Sequence, residues 1–227
     1  MVKKVSLLHE AKAVASFGGR LAFAVSMGRD SAVMIALMSK LTDLRKHAFF
    51  FWSRFPELLP YQRRYFNAME ERYGIHIDIR LWPESYKGKQ GDFVREYLEQ
   101  NGCSLCCFGY RMDESLQRRG MLKALEDGID RERKWAYPLR SFTKPKIRAY
   151  VKAHRVPLAP EYQFGLKRDL NDFRSMNAVY LRHVIGEEDY QAAIRMDPSI
   201  EVDYMRCTRH QEDADAEKIV AEAIKET

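Results

Sequence analysis

The feature that most constrains this fold is an alternation of short apolar runs with amphipathic segments. Leu21–Val25 reads LAFAV, an unbroken apolar run of the kind a strand carries when both its faces are buried. Ser31–Leu41 follows as a helix rich in Ala, Met and Leu. His47–Phe51 is a second buried strand, and Leu59–Tyr73 has helical period and is stopped by Gly74. Ile75–Leu81 alternates as a half-exposed strand. Gly91–Gln100 is helical, Ser104–Phe108 a short strand, Asp113–Glu126 a helix ending at Gly128, and Lys134–Tyr137 a weak strand. Thr143–Ala153 is a helix with Pro145 suited to its first turn. With a helix over Val5–Ser16, this order predicts an α/β fold with an open, mostly parallel sheet and helices on both faces. Beyond Pro160 the strand signals fade. Asp172–Ile185, Glu188–Arg195 and Gln211–Ile224 read as helices. Residues 1–165 are therefore expected to form the α/β domain and 166–227 a helical C-terminal extension.

Composition narrows the function classes. Lys and Arg total 38 against 32 Asp and Glu, a formal net charge of +6. No run of five like charges exists, so a nucleic-acid partner is permitted by the charge but not indicated by any basic arm. The longest apolar runs, such as Ala32–Met38, are too short to span a bilayer, so no membrane role is expected. His9, Glu10 and Lys12 break the N-terminal apolar stretch before a secretory core forms. Three of the four cysteines crowd into Cys103–Cys107, which is no secreted disulfide framework, and a cytoplasmic location is expected.

The chemistry concentrates where LAFAV runs into Ser26-Met27-Gly28-Arg29-Asp30-Ser31 and a helix begins. Ligands of α/β sheets bind at such strand–loop–helix junctions. The helix N-terminus offers N–H groups and the positive end of its dipole to an anion. Gly28 allows close backbone approach or a positive φ, Ser26 and Ser31 supply hydroxyl donors, and Arg29 adds a cation. The same six residues also suit a plain helix cap at Asp30 or Ser31. The loop is neither the Walker sequence nor the dinucleotide fingerprint.

It resembles the PP-loop, S-x-G-[KR]-D-S, of the ATP pyrophosphatases. Three further segments are similar to one branch of that group, the phosphoadenosine phosphosulfate (PAPS) reductase family. They are Phe55-Pro56-Glu57; Gly109-Tyr110-Arg111-Met112-Asp113-Glu114-Ser115-Leu116-Gln117-Arg118, which looks like G-x-R-x-x-[EQ]-S-x-x-R; and Tyr137-Pro138-Leu139 through Phe142-Thr143, Ile147, Tyr150 and Val156-Pro157-Leu158 to Tyr162. The resemblance implies a Rossmann-like, adenine nucleotide alpha hydrolase-like fold over about residues 21–165 and an adenine nucleotide as partner. On its own terms, the pair Arg111 and Arg118 beside one strand end suits bidentate grip on phosphate or sulfate oxygens.

The family implies two chemistries. In the first, ATP carrying Mg²⁺ is cleaved between its α and β phosphates to adenylate a substrate. Asp30, Arg111 and Arg118 would be the catalytic residues, and Ser26, Gly28, Arg29 and Ser31 would hold the nucleotide. ATP-cleaving members keep the Asp-Ser pair found here as Asp30-Ser31, so this reading leads at this stage. In the second, PAPS or its desphospho form is reduced by a thiol. The matching cysteine is Cys207, in Arg206-Cys207-Thr208-Arg209-His210, which lacks the family's acid and glycine. A third possibility is a nucleotide-binding partner module without turnover. A protein partner subunit or a homodimer stays open.

Trp52 and Ser53 stand where Asp and Thr are common. Trp52 would either stack on a base or pack at the strand end. Cys103, Cys106 and Cys107 invite comparison with iron–sulfur relatives, but the distant Cys pair is missing and the bland reading is a strand packed with thiols. No metal ligand set is assigned.

Overall fold

The computed structural model describes residues 8–53, 57–81, 90–163 and 182–208. The chain divides into two compact units, one from residues 1–54 and 68–157, the other from 55–67 and 158–227.

The first unit is built on a six-stranded sheet. Its strands are β1 (Arg20–Val25), β2 (Ala48–Ser53), β3 (Ile77–Leu81), β4 (Cys103–Cys107), β5 (Ile129–Asp130) and β6 (Trp135–Ala136), in the spatial order β3-β2-β1-β4-β6-β5. Every neighbouring pair is parallel except β5 with β6. The helices are α1 (His9–Ala15), α2 (Arg29–Met38), α3 (Pro60–Tyr73), whose residues 60–67 fall in the second unit, α4 (Gln90–Gln100), α5 (Leu116–Lys123) and α6 (Lys144–His154). The crossover from β1 to β2 runs outward one way and that from β3 to β4 returns past β1. Right-handed crossovers in opposite senses place α2 and α4 on opposite faces. The order reverses between β1 and β4, so the ends of these two strands frame the crevice where such sheets bind ligands.

Register explains the core. Ala22 pairs with Ala48 on one side and Cys106 on the other. These residues, with Phe50, pack under Val94, Tyr97 and Leu98 of α4. Phe50 and Tyr97 rings lie 4.2 Å apart. Small residues in the centre leave room for the aromatics beside them. A register irregularity between Arg20 and Leu21 lets Cys103 join the same cluster as Cys106.

Several boundaries differ from the sequence reading. The helix read as Ser31–Leu41 begins at Arg29, so Arg29 and Asp30 lie in its first turn. The helix read as Asp113–Glu126 begins only at Leu116, because the Ser115 side chain caps it by accepting the Arg118 N–H at 3.1 Å. Asp113 and Glu114 are therefore loop residues. The short strand β5 carries no apolar run and was not legible. Gly74 stops α3 at φ +61, as expected of a C-terminal glycine.

In the second unit, α7 (Pro160–Gln163) and the helices Glu187–Met196 and Ser199–Thr208 are described. Asp189, buried at 3% exposure, ion-pairs with Arg64 of the first half of α3. The expected helix Gln211–Ile224, residues 172–181 of Asp172–Ile185, Phe55 and Pro56, His210 and the Cys207 side chain lie outside the described residues. Among the described residues, no helix is long and apolar enough to cross a membrane.

At the opposite end of the sheet from the β1–α2 loop, His47 ties two segments together. Its Nδ1 accepts the Leu21 N–H at 3.2 Å and its Nε2 lies 2.9 Å from Thr42 Oγ1. This arrangement requires the neutral ring, and burial lowers the His47 pKa from its ordinary value. A histidine with a lowered folded pKa contributes stability that is complete above about pH 6.5, its unfolded value, and lost as pH falls below it. Thermal melts between pH 7.5 and 5 should show a steeper loss for the native chain than for H47Q, whose amide can serve both partners without titrating. Parallel curves for the two proteins would remove His47 as the cause.

Candidate functional site

The β1–α2 loop is held by its own hydroxyls. Ser31 Oγ accepts the Ser26 N–H at 3.0 Å, and Ser26 Oγ accepts the Gly28 N–H at 3.1 Å. Each oxygen is thereby used as an acceptor, which leaves its own hydrogen to donate. Met27 is fully buried and pins the loop to the core. Gly28 is the N-cap, at φ −64, so a left-handed backbone is not what this glycine supplies. Neither Asp30 nor Ser31 caps the helix. The helical ladder starts with the Ala32 N–H to the Gly28 carbonyl at 3.2 Å, so the N–H groups of Arg29, Asp30 and Ser31 precede it and point out of the helix end.

The segment after β4 comes directly against this helix end. A Cβ added at Gly109 would lie 3.1 Å from the Asp30 carbonyl carbon and 3.1 Å from the Ser31 nitrogen. A side chain at 109 would have to push the Asp30–Ser31 backbone back by a few tenths of an ångström. The next residues carry charge into the contact. Arg111 is 5% exposed. Its guanidinium pairs with Asp113, with Asp30 Oδ2 at 3.2 Å, and with Glu114 Oε1 at 4.0 Å. Asp113 turns its other oxygen to the Lys144 N–H of the first turn of α6, at 2.7 Å. One arginine thus ties the first turn of α2, the β4–α5 loop and, through Asp113, the first turn of α6. The α2 and α6 helices also pack side by side, with the Tyr150 hydroxyl donating to the Ala36 carbonyl at 3.3 Å.

Arg118 is the outer member of the pair. Its Nη1 meets Glu114 Oε2 at 2.7 Å and its guanidinium carbon sits 3.5 Å from the centre of the Tyr110 ring. The Tyr110 ring in turn stacks on Phe108 at 5.3 Å. Glu114 also accepts the Arg111 N–H at 3.2 Å. Burial raises the Glu114 pKa, and the Arg111 N–H and the Arg118 charge oppose that rise. Two buried polar atoms in this cluster, Asp30 Oδ1 and Arg111 Nε, have no hydrogen-bond partner among the described residues. Such orphans are costly, and a bound ion, water or ligand can satisfy them. Arg111 Nε is a donor fit for an anionic oxygen.

The structure thus places Ser26, Gly28, Arg29, Asp30, Ser31, Arg111 and Arg118 around the first turn of α2, the β4–α5 loop and the start of α5. Three residues that the sequence reading did not assign complete this arrangement. Gly109 permits the contact, Asp113 orients Arg111, and Tyr110 supports Arg118. Trp52 packs: its ring lies 5.2 Å from Phe50 and meets Phe93 edge-on at 5.3 Å. Cys103, Cys106 and Cys107 are buried, and burial pushes all three thiols up, which suppresses the thiolate. Among the described residues no group of three or more His, Cys, Asp or Glu side chains is placed to hold a metal ion.

Behind the site lies a buried pair invisible to sequence reading. Glu10 of α1, 1% exposed, accepts from Arg140 Nη1 at 3.1 Å and from the Ser141 hydroxyl at 2.8 Å. The Arg140 carbonyl accepts the Met112 N–H at 3.0 Å, so this clamp braces the loop that carries Arg111.

The model of the phosphoadenosine phosphosulfate reductase domain matches residues 20–179. This chain belongs to the PAPS reductase domain family. A solved relative is phosphoadenylyl-sulfate (PAPS) reductase from Candida auris in a phosphate complex, with 15% identity over 73% of this chain and 89% of that one and a TM-score of 0.49. The search of curated proteins returned no match. The family match takes in the β1–α2 loop, the Gly109–Arg118 segment and the Tyr137–Tyr162 stretch, and it ends short of Cys207.

Proposed function

We propose that this PAPS reductase family member binds an adenine nucleotide of the phosphosulfate type and reduces it through Cys207. The observation that carries the reading is Arg111: a buried guanidinium with an unused Nε, braced by Asp113 beside the first turn of α2. The N–H groups of that turn, the Ser26 and Ser31 hydroxyls, Arg29 and Arg118 would add donors for the nucleotide's anionic oxygens. The β4 cysteines favour Cys207 by elimination, since of the four thiols in the chain three are buried and burial pushes their pKa values up. The Cys207 thiolate would attack the sulfate sulfur. The bond from that sulfur to the phosphate oxygen would break, and the nucleotide would leave with the electron pair. A second thiol donor would then release sulfite from the cysteine S-sulfonate.

The Asp30-Ser31 pair favours a second reading, in which Mg-ATP is cleaved between its α and β phosphates at the same loop. The departing pyrophosphate would be stabilised by the α2 end and Arg29. Substitution of Cys207 by serine separates the two. Under the reductase reading C207S loses sulfite release by a factor of at least 10³ and keeps its affinity for PAPS. Unchanged sulfite release in C207S would sink that reading, and ATP-dependent pyrophosphate release insensitive to C207S would install the other.

A further inference from the structure

We propose that the exposed face of α6 binds the phosphodiester backbone of a nucleic acid. Between Glu132 and Glu161 the sequence contains no carboxylate residue at all. Within that stretch α6 and its C-cap expose Lys144, Lys146, Arg148, Lys152 and Arg155. None of these five side chains pairs with a carboxylate among the described residues. Arg45, Arg80, Arg95 and Arg182, on other elements, each have a carboxylate partner. A net charge of +6 spread evenly would indicate nothing. Here five cations and no carboxylate lie on one helix and its C-cap.

The spacing orders the charges. Lys144, Arg148, Lys152 and Arg155 fall at i, i+4, i+8 and i+11, one stripe along a helix. The stripe is about 16 Å long at 1.5 Å per residue, the reach of about five phosphates along one strand of a duplex. The helix cannot roll this face inward, because Ile147 is fully buried and Tyr150 is bonded to α2. An anionic membrane is the poorer fit. Interfacial helices carry large apolar side chains beside their cations, and α6 exposes none. The stripe begins at Lys144, whose N–H is held by Asp113, so a strand laid on α6 leads to the mouth of the nucleotide site. The proposal does not depend on which nucleotide that site takes.

The test is fluorescence anisotropy with a labelled duplex DNA and a labelled single-stranded RNA of equal length, using the full chain across a salt series. Binding to at least one should weaken with salt at a log–log slope of about −3 to −4, as for about four neutralised phosphates. R148E/K152E should bind at least tenfold more weakly with the slope reduced by about two, and its nucleotide affinity should stay unchanged. Should the reversal fail to fold by circular dichroism, R148Q/K152Q should show the same reduction in slope. Salt-independent binding, an unchanged slope in either variant, or equal displacement by polyglutamate of matched charge would overturn the proposal. So would preferential binding to vesicles of anionic lipid. Preference between the DNA and the RNA assigns which nucleic acid supplies the phosphates.

Discussion

Arg111→Met is expected to destabilise the chain by about 3 kcal/mol and to abolish nucleotide binding. Removing one partner of a buried ion pair costs about 3–5 kcal/mol, because the opposite charges are left unpaired. The lower end applies here, since Asp30 and Asp113 keep side-chain exposures of 22% and 28%. Methionine matches the length of the stem and isolates the loss of charge from the loss of volume. Denaturant melts read the first effect and titration with PAPS the second. R111K tests the geometry: a point charge cannot reach Asp30, Asp113 and a ligand together, so it should recover part of the stability and little of the binding. A methionine variant as stable as the native chain would mean that the cluster is solvated and not a structural tie.

Gly109→Ala is the second large effect. The new Cβ would sit 3.1 Å from two backbone atoms of Asp30 and Ser31, which cannot swing aside as a side chain would. Overpacking of this kind costs about 1–3 kcal/mol. The displaced element is the first turn of α2, so nucleotide affinity should fall at least tenfold, more than the stability loss alone would suggest. Native affinity in G109A would show that the two segments have room to part, and would weaken the claim that their contact shapes the site.

How much of this was legible in the sequence follows from what each feature depends on. The strands β1, β2 and β4 announce themselves because both faces are buried, so their apolar runs are continuous. The strand β5 has two residues and one partner, and no local pattern could mark it. The β1–α2 loop could be read from spacing, since its hydrogen bonds span five residues or fewer. The positive φ allowed for Gly28 does not occur, since it takes an ordinary φ of −64 at the N-cap, while the glycine demanded by close approach of two backbones is Gly109. That demand arises between residues about eighty apart, where periodicity is silent. The same holds for Glu10 with Arg140. Their bond joins α1 to the loop before α6, and a single glutamate in an amphipathic helix reads as solvated until its partner is seen. The late start of α5 is a local matter, set by the Ser115 cap. It moved Asp113 and Glu114 off the helix and freed both to hold Arg111.

The most direct test of the account is calorimetric titration of the reduced full chain with PAPS and, separately, with Mg-ATP. The account predicts saturable binding of PAPS at one site per chain, weakened at least tenfold in G109A and lost in R111M, with Mg-ATP the weaker ligand. Equal PAPS affinity in the native chain and both variants, or no binding of either nucleotide by the native chain, would contradict the placement of the nucleotide at the end of α2.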